Sequence, residues 1–268
     1  MEMYRKQIDK KILEQLKNKI QNYLKRKKFD NEGLVRNNLD KVAGLYVENL
    51  KEKKNIMMES RGSKNEIAID KRFFNLDEND NPIAINEEYK KLVFTQLTHE
   101  LIHSGARFDG KTGILAGANN KSNVGLNEGM TQMFTEKIWG YTLSPNTDNK
   151  YKGFKKVAKI LDTTFGENVS LDAYFNHTNA LENSCNTLAN DNNFYSDINK
   201  YLSSIYNMSK NVPKENTDKY YQTIVQPIQE KMMKKIYDKV CAEIIIPKLK
   251  TLSAEERRNI CTKCIKFS

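Results

Sequence analysis

The chain has 268 residues. Its 38% apolar and 29% charged content, with a mean hydropathy of −0.72, suits a soluble helical protein with broad solvated faces and one sizeable domain or a two-lobed unit. This composition excludes collagen, coiled coil and wholesale disorder, and no apolar run reaches the length of a membrane span. The balance of 44 basic against 34 acidic residues, +10, raises nucleic acid or an anionic surface as partners. Ten of the basic residues, however, fall in positions 1–29 against Glu2, Asp9 and Glu14, which reads as a solvated, lysine-rich helix face, and no nucleic-acid partner is expected.

The start, MEMYRKQIDKK, carries charges where a secretion signal needs an apolar stretch. A cytoplasmic location is therefore expected, with export by a route that uses no signal peptide left open. Four cysteines (Cys185, Cys241, Cys261, Cys264) are not a disulfide framework in a chain of this length. The pair CTKC at 261–264 has no second CxxC to complete a four-thiolate zinc site, so reduced thiols near the end of a C-terminal helix are expected.

In chain order, Ile8, Ile12, Leu16, Ile20 and Leu24 recur every four positions, widened by Leu13 and Tyr23, and predict an amphipathic helix. A second helical stretch follows Gly33, around 34–54. The period then changes. NEIAID (65–70) and NPIAIN (81–86) alternate and predict two short strands joined through the turn-rich LDENDNP. Asn86 is a plausible N-cap, and Glu87 and Glu88 suit the first turn of a helix that carries His99 and His103 and ends near Gly105. Positions 109–126 read as a loop, with Gly110, Gly113, Gly117 and Gly125. Asn127 can cap a further helix over 128–139, and from 152 to 265 the patterns are helical.

Two of the three histidines stand four positions apart around a glutamate, in His99-Glu100-x-x-His103. Histidines at i and i+4 project from one helix face, so both imidazoles can approach one ion. Two neutral nitrogen ligands leave room for a carboxylate and a water, the pattern of a hydrolytic zinc site. Glu100, beside the ion rather than aimed at it, is placed to act as general base on a metal-activated water. Two downstream carboxylates could complete the set, Asp109 and Glu128. The spacing HExxHxxGxxD would make Asp109 the ligand, but that turn wants glycine at 106; here position 106 is Ala and the glycine is Gly105.

With GLNEGMTQ at 125–132, the sequence resembles the gluzincins, zinc metallopeptidases in which HExxH on one helix is completed by a glutamate on the next, as in thermolysin and the NEG-bearing aminopeptidases. The resemblance implies one zinc ion held by His99, His103 and Glu128, with Glu100 as general base and Gln132 in the outer place where the thermolysin pattern has an aspartate. A neutral amide there would leave the imidazole less basic. HELIHSGARFDG is also similar, over a dozen residues, to the metal helix of clostridial neurotoxin light chains. Gluzincins generally add an oxyanion donor, for which His177, Tyr141, Tyr151, Tyr174 and Tyr195 are candidates.

The resulting expectation is an α+β, mostly α fold: a single zincin-like metallopeptidase domain over 1–268. It would have an N-terminal lobe of helices and a small twisted sheet (about 1–126), and a helical C-terminal lobe (about 127–268). Its function would be hydrolysis of peptide bonds in a peptide or protein substrate, whose backbone could pair with a strand near 65–70 or 81–86. A catalytically inactive zincin-like domain that binds metal or a partner is the alternative.

Overall fold

The computed structural model describes residues 5–8, 10–50, 58–61, 65–115, 124–141, 152–208 and 221–265. Among the described residues it is mostly helical with three small sheets. Two compact units emerge, one formed by 1–112 with 134–147, the other by 113–133 with 148–268.

The first unit is built on a four-stranded sheet in the order β1-β2-β4-β3, from β1 (Arg5–Gln7), β2 (Gly44–Glu48), β3 (Met58–Arg61) and β4 (Glu66–Asp70). The inner pair, β2 and β4, is parallel, with Leu45 opposite Ile67 and Val47 opposite Ile69, and all four are buried. Strands covered on both faces tolerate near-continuous apolar runs, which is how Leu-Tyr-Val and Ile-Ala-Ile lie at the centre. The outer β1 is riveted by Arg5. Its guanidinium donates to Glu66 Oε2 at 2.7 Å, lies 3.2 Å from the buried Glu48 carboxylate, and covers the Tyr46 ring at 3.9 Å.

Helix α1 (Lys10–Arg26) buries Leu16, Ile20 and Leu24 of the expected stripe, with Leu13 and Tyr23, against α2 (Glu32–Asp40) and α3 (Lys90–Gly105), whereas Ile12 is half-buried and Ile8 precedes the helix. Two expectations need correction here. The helix expected over 34–54 ends at Asp40, because Leu45-Tyr46-Val47 gain more by pairing with β4 and burying both faces than by continuing a helix. The strands 66–70 and 82–85 exist but do not pair with each other. LDENDNP instead joins β5 (Phe74–Leu76) to β6 (Pro82–Ile85), a separate two-stranded hairpin. Asp77 closes its loop by accepting from the backbone N–H groups of Asn79 and Asn81. Asn86 does cap, accepting from Glu88 N at 3.2 Å, but it opens a 3-10 turn (Glu87–Tyr89) that leads into α3.

The second unit is helical among the described residues: α5 (Lys152–Phe165), α6 (Glu167–Phe175), α7 (Ala180–Ala189) and α8 (Phe194–Met208), then helices Gln226–Val240, Ile246–Lys250 and Ala254–Ile265. Phe154, Leu161, Leu171, Tyr174, Phe175, Phe194 and Leu202 fill its core. Two π-helical turns, Tyr221–Val225 and Cys241–Ile245, each precede a proline, Pro227 and Pro247. A proline ring collides with the carbonyl four residues back and lacks an N–H, and widening the preceding turn relieves both defects. Cys185, Cys241 and Cys261 are free thiols, the last on the C-terminal helix that also carries Cys264. Among the described residues no helix is long and apolar enough to cross a membrane.

Candidate metal centre

Helix α3 is buried almost all round: Val93, Leu97, Leu101 and Ile102 are core residues, and His99 is 2% exposed. Its buried hydroxyls are satisfied within the helix. Thr95 Oγ1 donates to Lys91 O, Thr98 Oγ1 to Phe94 O and Ser104 Oγ to Glu100 O. Thr98 also accepts from Trp139 Nε1 at 2.9 Å, one residue before the first histidine. Beyond the helix, the Asp109-Gly110 pair, with φ of 47° and 72°, makes the tight turn of a small hairpin, β7 (Arg107–Phe108) with β8 (Lys111–Thr112).

Helix α4 spans Val124–Trp139, so Gly125 and Asn127 belong to the helix rather than to a loop and its cap. The two glycines in it have a steric reason. A Cβ on Gly125 would stand 2.7 Å from the Leu202 carbonyl of α8, and one on Gly129 would stand 2.4 Å from the Phe154 carbonyl of α5. The helix thus lies backbone to backbone on two neighbours, with Glu128 next to the second contact. Thr131 Oγ1 donates to Asn127 O and shares a hydrogen bond with the Tyr174 hydroxyl, fastening the same stretch to α6.

His99, His103 and Glu128 each present one ligand atom, and these atoms all lie within 4.8 Å of one another; among the described residues no other group of three or more such side chains forms. The two Nε2 atoms face each other at 3.2 Å, with ring planes at 76°. Two zinc–nitrogen bonds of about 2.05 Å at a tetrahedral angle would separate the nitrogens by about 3.3 Å. The imidazole pair therefore already has the spacing a tetrahedral ion requires. A proton shared between two lone pairs carries one charge and serves two atoms, whereas a divalent cation also suits the Glu128 carboxylate. The three side chains fit a metal ion.

Asp109 is exposed in its hairpin turn and is not part of the cluster. Ala106 has φ −92°, so the chain leaves α3 without the left-handed reversal that an aspartate ligand at 109 would need. Glu100 is half-buried on α3, one residue past His99, and Gln132 is fully buried one turn past Glu128.

His177 has φ 57° and its Nδ1 lies 3.0 Å from Gly113 O. A carbonyl only accepts, so Nδ1 carries the hydrogen. Burial pushes the imidazole pKa below its ordinary value, partly offset by that hydrogen bond, which favours the neutral ring. Neutral His177 then has an acceptor at Nε2 and cannot donate to an oxyanion. Tyr174 is fully buried against Thr131, and Tyr195 is buried with its hydroxyl pushed to a higher pKa by desolvation. Tyr141 is half-buried beneath Lys91 Nζ at 4.0 Å, and Tyr151 lies outside the described residues.

Sequence reasoning missed the parts that hold α4. The available signal was Gly125-x-x-x-Gly129: a glycine inside a helix costs about 1 kcal/mol relative to alanine, so its presence implies a packing reason. No family model, no curated protein and no solved structure matches this chain.

Proposed function

We propose that the protein is a zinc-dependent metallopeptidase of gluzincin type. The convergence of His99, His103 and Glu128 carries this reading, because two imidazoles and one carboxylate leave a tetrahedral ion one position for water or substrate. Zinc bound there would act as a Lewis acid and lower the pKa of water to near neutrality. Glu100, one residue from His99 and so displaced around the helix from the ligand face, would take the proton of the attacking water and pass it to the departing amine.

For substrate, the two strands expected from sequence differ: 82–85 lies in a two-stranded hairpin, and 66–70 is β4. β4 is flanked by β2 and β3 and has no edge to offer, whereas β3 is the outer strand of the sheet and packs on α3. An extended peptide would pair with β3 by main-chain hydrogen bonds.

Glu100→Gln is expected to retain one zinc per chain and lose all cleavage of a mixed peptide library. Undiminished hydrolysis in that variant ends this mechanism. The second reading, a metal-binding domain without turnover, draws on the neutral His177 and the enclosed Tyr174 and Tyr195, none of which supplies an oxyanion donor. Zinc bound by the parent chain with no library cleaved would favour it.

A further inference from the structure

A helix that ends without a left-handed residue must satisfy its last carbonyls by another route. At the end of α3, Ala106 N donates back to Ile102 O, and Ala106 keeps φ −92° and ψ 26°. The carbonyls of Gly105 and Arg107, on either side of that residue, both receive hydrogen bonds from one side chain outside the helix. Asn38 Nδ2, on α2, donates to Gly105 O at 3.1 Å and to Arg107 O at 2.9 Å.

The amide cannot be reversed. Lys41 Nζ donates to Asn38 Oδ1 at 3.2 Å, and an ammonium group only donates, so the oxygen faces Lys41 and both hydrogens of Nδ2 face the carbonyls of Gly105 and Arg107. Asn38 is 7% exposed. Around it α2 meets the helix end with little space, since a Cβ on Gly105 would stand 3.0 Å from Val35 Cγ1 and 3.4 Å from the Leu39 side chain. His103 lies two residues before Gly105, in the turn that this amide closes.

We propose that Asn38 is a positioning residue for the metal centre, its amide ending α3 from outside and thereby fixing where the His103 imidazole stands. The inference rests on the reading of His99, His103 and Glu128 as metal ligands. It deepens that reading by adding a residue more than 60 positions from His103, on an element with no ligand of its own. Losing the amide would free the final turn to fray or to rotate. His103 sits in that turn, while His99, one turn earlier, does not.

The test uses the full metal-free chain. Zinc affinity is measured by competition with a chromophoric chelator, cobalt(II) is added to read ligand geometry from its visible spectrum, and melting of the metal-free protein is followed separately. For Asn38→Leu, which keeps the volume and removes both donors, zinc affinity is expected to fall about ten-fold or more, the scale seen when a metal's outer partners are lost. The cobalt spectrum should shift with it. A variant that melts lower when metal-free, yet binds zinc as tightly as the parent with an unaltered cobalt spectrum, has lost a purely structural contact and overturns the proposal. If Asn38→Leu does not fold, Asn38→Asp decides, because it keeps the shape of the side chain and replaces both donors with acceptors. Weaker zinc binding in that variant supports the assignment, and unchanged affinity overturns it. A parent chain that binds neither metal overturns the metal reading itself, an outcome read before any variant is made.

Discussion

Helices α3 and α4 are each 16 residues long and each contributes to the group of possible metal ligands, yet the contacts that hold them differ in kind. α3 is held by side chains: its threonines and serine bond its own carbonyls, Trp139 reaches Thr98, and Asn38 closes its end. α4 is held partly by the absence of side chains, where Gly125 and Gly129 let backbones touch. A helix tied by side-chain bonds can adjust when one is lost. A helix seated on neighbouring carbonyls cannot accept an added atom without moving, so the placement of Glu128 depends on steric exclusion and that of the histidine pair on hydrogen bonding.

The largest expected effect comes from removing a ligand of the proposed site from either arm. His103→Ala or Glu128→Ala should weaken zinc binding by more than the ~10–100-fold typical of an outer-sphere loss, since a direct ligand is removed. Chelator competition measures this, and equal affinity in either variant would remove that residue from the metal set. On the proposed reading, stripping zinc should also lower the melting temperature, by an amount that grows with the logarithm of the ratio of free zinc to its Kd.

Next comes a matched pair of glycine substitutions. Gly129→Ala meets the Phe154 carbonyl and should cost roughly 1–3 kcal/mol, as overpacking does. Gly105→Ala meets the Val35 and Leu39 side chains at 3.0–3.4 Å rather than backbone, so its loss should be smaller than that of Gly129→Ala. Denaturant melts of both test the comparison, and equal losses would erase it. Smaller again is Thr98→Val, which leaves the Trp139 N–H without its acceptor. The expected loss is about 1 kcal/mol, with a change in the fluorescence of the single tryptophan.

The smallest effect is a pH dependence on the α4 side. Burial lowers the His177 pKa in the folded chain, so as pH falls below the ordinary 6.5 the unfolded chain takes up a proton that the folded chain resists. Stability from this group is therefore complete above that value and is lost as pH falls through the lowered folded pKa. His177→Asn, whose side chain tolerates φ 57°, should flatten this acid limb in melts at a series of pH values. Parallel profiles would refute the neutral, Nδ1-protonated assignment.

Much of this was legible in the residues. The period of Leu13, Leu16, Ile20 and Leu24 specified a buried face for α1, and the i, i+4 histidines specified their own convergence, because both depend only on helical geometry. β2 was not legible: Leu45-Tyr46-Val47 follows a helical segment, and only β4, about twenty residues on, supplies the partner that makes it a strand. The start of α4 was obscured by its glycines, which signal a loop locally and a close helix contact in three dimensions.

By itself the sequence determined the helix that carries His99, Glu100 and His103, since 3.6-residue periodicity and spacing are local properties of the chain. The sequence pointed to Glu128 only through a resemblance; the tertiary structure groups its carboxylate with the two histidines, spends Asp109 in a hairpin turn and has Asn38 close the helix end. Each of those outcomes depends on segments far apart in sequence arriving at one place, and arrival is governed by packing rather than by any local pattern.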